Sequence, residues 1–322
     1  MRAVRFDHFG PLEGLSVVEL PEPQATGSVA IVRVEAAAIN PSDLGNVFGK
    51  MSQTTLPRVP GRDYAGVVED GPADWVGARV WGTGGDAGFT RDGTHAQFIG
   101  VPAASLKRMP ENLSFGEAAA VGVSFVTAWC GVVESARLRE GETCFVIGAG
   151  GSVGGAAAQI AKRIGATVIA AARRAPPPGS RISEIAEHLF INTSDLRASV
   201  MDCTNGKGAD VIYDTVGGPM LRTALSCLAN KGRLVEISAR QPEVSFNLAD
   251  FYHHEQCLFG VDSLKRDLIA SSEILDGLRS EFERKNYRPQ PIAEGFPLDQ
   301  VVEAYRRVAE GANGKIVLYP HQ

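Results

Sequence analysis

Apolar positions along this chain change rhythm twice. From Met1 to about Lys107 they fall in short runs, Met1–Phe6, Leu15–Leu20, Val29–Ala36, Tyr64–Glu69 and Ala78–Gly82, with Pro11, Pro21, Pro23 and Gly27 among the breaks. Alternating or fully apolar runs bounded by proline and glycine predict a strand-rich module with irregular connections. Around Ser114 the pattern turns helical. Ser114, followed three residues later by Glu117, forms a capping box ahead of an apolar stretch.

From Thr143 to about Asp262 the rhythm alternates between strand and helix. Cys144–Gly148, Thr167–Ala171, Val211–Asp214 and Gly232–Ser238 are the strand candidates. Strands separated by helices predict a parallel, doubly wound sheet, so the fold class is α/β with a β-rich module beside it. Leu264–Arg284 then reads as helix, Leu298–Glu310 as another, and Gly314–Tyr319 as a last strand. A strand that follows a finished α/β domain needs a partner elsewhere. The expected arrangement is a discontinuous domain of residues 1–120 and 263–322, with a nucleotide-binding domain at 121–262 between them. There is no internal repeat, and Ala175–Gly179 is the single low-complexity stretch, a stiff surface loop.

Composition narrows the function classes. A chain of 322 residues suffices for two domains, and a net charge of −5 without a basic stretch argues against nucleic acid or an anionic membrane as partner. The uncharged run Ala118–Val133 is shorter than a membrane span and is interrupted by Gly122, Ser124 and Thr127. The chain opens on strand-like residues, not on an apolar leader. Its five cysteines are odd in number, widely spread and mostly inside apolar runs. They read as reduced core thiols of a cytoplasmic protein.

The richest chemistry lies in Val146–Gln159, where an apolar run enters a glycine cluster and an alanine-rich run leaves it. Strand, tight turn and helix start in that order form an anion site. Glycine lets the backbone approach a pyrophosphate, and the first N–H groups of the helix, here at Ser152 and Val153, hold it. The regularly spaced glycines are Gly148, Gly151 and Gly154, one residue longer than the strict G-x-G-x-x-G pattern, whose third place is Val153. A purely structural strand–helix turn is the plainer reading, but Ala166–Ala171 supplies the second strand of a βαβ unit one helix later. In NAD-binding units that strand ends in an acid for the ribose 2′-hydroxyl. Here it ends Ala172-Arg173-Arg174. Paired guanidinium groups suit a 2′-phosphate, hence NADPH, against the reading of two solvated arginines. Arg181 is a weaker candidate for the same group. Ile237 and Ser238 close another strand at the carboxyl edge of the sheet, where ligands bind.

Asn40-Pro41-Ser42-Asp43, Leu56–Val68 with Gly61-Arg62-Asp63, Gly122–Ala128, the glycine turn, Asp214–Gly218 and Gly314–Leu318 occur in this order. As a set they resemble the medium-chain dehydrogenase/reductase superfamily, in its zinc-free quinone oxidoreductase-like branch. The resemblance covers nearly the whole chain. It implies a GroES-like β-rich catalytic domain, a Rossmann domain, and usually a homodimer formed through the Rossmann sheets. Zinc-dependent members carry a cysteine where this chain has Asn40, a G-H-E where it has Gly61-Arg62-Asp63, and a four-cysteine lobe that is missing. A catalytic zinc needs about three N, O or S ligands. Asp43 and Asp63 have no Cys or His beside them, and His95, His253 and His254 read as surface or packing residues, so no metal is expected. Without a Lewis acid, hydride transfer to a quinone or to the β-carbon of an enone or alkenal suits the chain better than alcohol oxidation.

The resemblance also implies roles. Asn40 lies near the nicotinamide or acceptor oxygen, against the plainer reading of an Asn-Pro turn, Thr127 near the nicotinamide ribose, against a helix hydroxyl bonded to its own backbone, and Phe259 and Val261 beside the carboxamide. Lys315 reaches toward the cofactor, against the plainer reading of a solvated lysine near a terminus. Asp43 and Asp63 orient Asn40 or Arg62, or cap turns. Three departures stand out: Gly45 replaces a tyrosine of the acceptor pocket, Pro176–Pro178 a lysine used on the 2′-phosphate, and Thr193 a tyrosine. The arginine pair must then hold the phosphate, and no evident proton donor is left, Asn46 or water being poor substitutes. A 2-enoyl thioester reductase and an NADPH-binding protein without turnover are the alternatives.

Overall fold

The computed structural model describes residues 1–322. The chain divides into two compact units, Met1–Val126 with Ser263–Lys285 and Pro289–Gln322, and Thr127–Asp262 with Asn286–Arg288.

In the first unit β1 (Arg2–Arg5) and β2 (Ser16–Glu19) form an antiparallel pair. The long strand β3 (Val29–Ile39) pairs antiparallel with β4 (Tyr64–Asp70) and with β6 (Phe98–Pro102), and β4 pairs with β5 (Arg79–Gly82). Helix α1 (Pro41–Val47) leaves the end of β3. Helix α2 (Phe115–Ala119) starts at the capping box read above: Ser114 Oγ accepts the Glu117 N–H, and Glu117 accepts the Ser114 N–H at 2.9 Å. Helix α3 (Gly122–Trp129) carries the chain onward. Residues 115–135 form a helical stretch long and apolar enough to cross a membrane, against the shorter run expected, because the flanking residues are helical too. Of its most apolar window, 83% is buried inside the protein, as in a core helix.

The second unit is a doubly wound α/β sheet. Strands β7 (Thr143–Ile147), β8 (Thr167–Ala172), β9 (His188–Ile191), β10 (Ala209–Asp214), β11 (Leu228–Glu236) and β12 (Cys257–Gly260) lie in the order β12-β11-β10-β7-β8-β9, all parallel. Helices α4 (Ser152–Ile164), α5 (Ile182–Ile185), α6 (Leu196–Cys203), α7 (Leu221–Cys227) and α8 (Leu248–His253) fill the crossovers. The order reverses between β7 and β10, the crevice where sheets of this kind take ligands. The four expected strands are present, but β11 starts at Leu228 and ends at Glu236, so Ile237 and Ser238 lie just past it. The edge strands β9 and β12 escape the sequence pattern. Each has four residues, none of them buried, so no apolar rhythm marks them.

The chain then forms α9 (Leu268–Glu283), β13 (Ile292–Phe296), α10 (Val301–Ala309) and β14 (Lys315–Leu318) within the first unit. β14 pairs antiparallel with β3, setting Ile316 opposite Ile39 and Leu318 opposite Ala37. Val4, Phe6, Ile39 and Leu44 from the start of the chain share one buried cluster with Phe296, Leu298, Tyr305 and Ile316 from its end. Each large apolar side chain there contributes roughly 1.5–3 kcal/mol by leaving water.

Candidate active site

The glycine turn follows β7 directly. Gly148 has φ +80, and a Cβ there would lie 2.1 Å from Thr215 Oγ1, so the position demands glycine twice over. Gly154 lets α4 close on the turn, since an added Cβ would meet Gly148 O at 2.4 Å. Gly151 differs. It takes an extended backbone as N-cap of α4, and a Cβ there would meet nothing nearer than Gly148 O at 3.4 Å. The protein's own packing leaves this part of the turn bare. The first i→i−4 bond of α4 runs from Gly155 N to Gly151 O at 2.8 Å, so the N–H groups of Ser152 and Val153 precede the helical ladder. Bare backbone, early N–H groups and a 13-residue helix dipole fit a pyrophosphate.

Several other residues of the second unit follow strands of the sheet or lie on its edge strand. Arg173 and Arg174 follow β8 and are exposed, and no acid occupies the strand's end. The backbone after β8 runs close to Gly150, where a Cβ would lie 3.9 Å from the Arg174 carbonyl oxygen. Ile237 and Ser238 follow β11, with Ser238 O against Gly217. Phe259 lies on β12, and Val261 N donates to Glu236 O at 2.9 Å. Thr127 is 6% exposed on α3, its carbonyl accepting the Tyr213 hydroxyl at 3.0 Å. Arg181 stands at the start of the short α5. Thr193 lies between β9 and α6, and His253 and His254 are exposed at the end of α8.

In the first unit Asn40 and Asp43 belong to a buried polar cluster. Asn40 follows Ile39, the last residue of β3, and stands at the N-cap of α1. Its Nδ2 donates to Asp63 Oδ2 at 2.9 Å, and its Oδ1 accepts from Lys315 Nζ at 2.5 Å. Asp43 Oδ2 accepts the Asn40 N–H at 2.8 Å, while Asp43 Oδ1 has no partner. Asp63 also accepts the Val123 N–H at 2.8 Å, tying the start of α3 to the cluster. Thus Asp63 orients Asn40, and Asp43 caps the turn. Arg62, 2% exposed, donates to Gly84 O at 3.1 Å. Lys315 is 3% exposed and not the solvated terminal lysine of the plainer reading, because pairing of β14 with β3 carries it inside.

Burial governs ionisation here. Loss of water pushes Asp43 up to about 7, against the pull of the Asn40 N–H, Arg62 and Lys315. Loss of water likewise lowers Lys315, opposed by Asp63 and Asp43. His95 is fully buried and pushed down to about 4 by desolvation, so it is uncharged at neutral pH. Its Nδ1 lies 3.0 Å from the Tyr305 hydroxyl, a contact the sequence pattern did not reveal.

Asn46 is buried and tied at both ends of its amide. Its Nδ2 donates to Gly88 O at 2.6 Å, and its Oδ1 accepts from Thr54 Oγ1 at 2.5 Å. At Gly45 a Cβ would lie 3.0 Å from Met51 Cε, so the methionine side chain occupies the space of any larger residue. Cys130, Cys144 and Cys227 are buried, but Cys203 is half-buried and Cys257 exposed on an edge strand, so the core-thiol reading holds for three of the five. No three His, Cys, Asp or Glu side chains converge on one point. Where a metal would need three donors, Asn40 and Asp63 instead meet a lysine ammonium, and this set does not fit a catalytic zinc.

Comparison with known proteins agrees with the fold. The alcohol dehydrogenase GroES-like domain family matches residues 27–111, and the zinc-binding dehydrogenase family residues 152–275. A zinc-type alcohol dehydrogenase-like protein of Schizosaccharomyces pombe is 36% identical over 312 residues, 95% of this chain and 92% of that protein. The quinone oxidoreductase of Mus musculus is 30% identical over 331 residues, 99% of this chain and 97% of that protein. A solved NAD-dependent alcohol dehydrogenase superposes with a TM-score of 0.90 at 30% identity, covering 99% of each chain. Fold and glycine turn together define an oxidoreductase that uses a nicotinamide cofactor. The chain belongs to the medium-chain dehydrogenase/reductase superfamily, in its quinone oxidoreductase-like branch.

Proposed function

We propose that the protein is an NADPH-dependent reductase that passes hydride to a quinone or to an activated enone or alkenal, without a metal. The observation that carries the NADPH assignment is the exposed Arg173–Arg174 pair at the acid-free end of β8, beside Gly150 of the glycine turn. Each charge-assisted bond from a guanidinium to a 2′-phosphate contributes roughly 1.5–3 kcal/mol, about 10- to 100-fold in affinity. Reduced nicotinamide, when bound, supplies the hydride. Ser152 and Val153 would hold the pyrophosphate through their N–H groups, and Ile237, Ser238, Phe259 and Val261 would serve the nicotinamide end. Thr127 serves the ribose. Asn40, held at both ends of its amide by Asp63 and Lys315 and bonded through its N–H to Asp43, is the residue assigned to the acceptor. Water delivers the proton, since the Asn46 amide is no acid and is held by Gly88 and Thr54.

A cytoplasmic homodimer completes the proposal. Its support is the set of five free cysteines and the edge strand β12, with Leu258 41% exposed. The quinone acceptor is supported by the quinone oxidoreductase relatives. An enoyl thioester reductase is the second reading, favoured by likeness to the JamJ enoyl reductase, with a TM-score of 0.83 at 25% identity.

The test is direct. NADPH oxidation is followed with 9,10-phenanthrenequinone, an alkenal and crotonyl-CoA, with NADH as control. We expect turnover of quinone or alkenal, at least about tenfold preference for NADPH, and loss of that preference in Arg173→Ala/Arg174→Ala. Equal Michaelis constants for the two nucleotides would remove the NADPH assignment. Turnover of crotonyl-CoA alone would favour the thioester reading, and tight binding without turnover a non-enzyme. Stoichiometric zinc in the purified protein would overturn the metal-free route.

A further inference from the structure

Asp214 ends β10, Glu236 ends β11, and the two stand opposite one another in register on neighbouring parallel strands. Asp214 is 0% exposed. Its Oδ1 accepts the Val216 N–H at 2.7 Å and so shapes the turn after β10. Its Oδ2 and both carboxyl oxygens of Glu236 are buried without a hydrogen-bond partner. Three buried carboxyl oxygens lacking a donor are unfavourable when both groups are ionised. One proton between the two carboxyls removes a charge and supplies the missing donor.

Arg240 is exposed on the loop whose Ser238, Ala239 and Gln241 pack on Gly217 and Gly218. Asp210, Lys231 and the Arg233–Glu142 ion pair lie toward the amino ends of the strands, and Arg222 of α7 is bonded to Ser245. Lys162 and Arg163 sit at the far end of α4, Glu134 on the π-helical turn that packs on β11, and Asp262 beyond β12. Burial and the negative charge of Asp214 push Glu236 up to about 8, and burial raises Asp214 as well.

The turn that Asp214 shapes is wedged against the glycine turn. Thr215 Oγ1 donates to Ile147 O at 3.0 Å and fills the space beside Gly148. On its other side, Gly217 is pressed against Ser238 O. Both contacts border the crevice between β7 and β10 where the strand order reverses.

We propose that Asp214 and Glu236 share one proton, and that losing it loosens the Thr215 contact with the glycine turn and weakens dinucleotide binding. This rests on the dinucleotide reading above. The second negative charge also repels the pyrophosphate, so both effects act in the same direction.

The experiment titrates NADPH and NADH into the full chain and into Glu236→Gln between about pH 7 and about pH 9, where the 2′-phosphate is already ionised. Thermal unfolding of the nucleotide-free proteins is recorded over the same range. Wild type is expected to lose at least about threefold in affinity as pH rises, with a falling thermal midpoint. Glu236→Gln, whose amide donates to Asp214 at every pH, is expected to show neither trend. Asp214→Asn gives the same readout if Glu236→Gln does not fold. A wild-type Kd independent of pH, or a variant with the wild-type slope, overturns the proposal. Absence of binding at every pH ends the dinucleotide reading and the affinity effect with it. The thermal midpoints then still decide whether the proton is shared.

Discussion

A lysine ammonium withdrawn from water costs several kcal/mol unless it is paired, and Lys315 is paired with Asn40 Oδ1 at 2.5 Å and faces Asp63 Oδ2 at 3.8 Å. Lys315→Met leaves the Asp63 carboxylate buried without a cation beside it. The expected loss is about 3–5 kcal/mol, read from denaturant unfolding. Asp43 gives the opposite kind of test. Its carboxyl sits at about 7 in the folded protein, well above its ordinary value. The folded state therefore holds the proton more tightly than the unfolded chain. Stability falls as pH rises from the ordinary carboxyl range to about 7 and levels off above it. Asp43→Asn removes that slope and is expected to gain roughly 1–4 kcal/mol over wild type at pH 8, but little at pH 4. A gap between the two proteins that does not widen with pH counts against this ionisation. The sequence pointed to Asn40 and Asp43 through their order within a motif. It left Lys315 and Asn46 open, because their partners depend on contacts distant in the chain. Lys315 meets Asn40 across 275 positions and Asn46 meets Gly88 across 42, separations that no local pattern encodes.

At the scale of elements, the glycine turn separates folding from binding. Gly148→Ala forces a side chain into φ +80 and against Thr215, so it is expected to lower both stability and nucleotide affinity. Gly151→Ala meets only ordinary contact within the protein. Its thermal midpoint is expected to stay within a degree or two of wild type, while the added methyl group raises the Kd for NADPH by about tenfold or more. Equal affinity in Gly151→Ala and wild type would place the phosphates elsewhere. The strands flanking this turn were readable because β7, β8 and β10 are buried on both faces and so form continuous apolar runs. Ile237 and Ser238 were read as the end of β11, but the ladder stops at Glu236, where the carboxyl pair and the turn after β10 take over.

For the molecule as a whole, the first unit is closed by residues from both ends of the chain. β14 pairs with β3, and α10 adds Val301, Ala304 and Tyr305 to the cluster that holds Val4 and Phe6. Truncation after Gly311 removes β14 and Lys315 together. The shortened chain is expected to lose cooperative unfolding of the first unit, seen as a missing transition in calorimetry. The alternation of strand and helix made the second unit readable in outline, because each step is local. The unmarked edge at β12 has a practical side. Cys257 is the one exposed thiol of the chain, and it lies on that outermost strand. A maleimide dye added to the native protein is expected to label there first, without engineering. If two copies join along this edge, the dye will be excluded at high protein concentration and admitted on dilution.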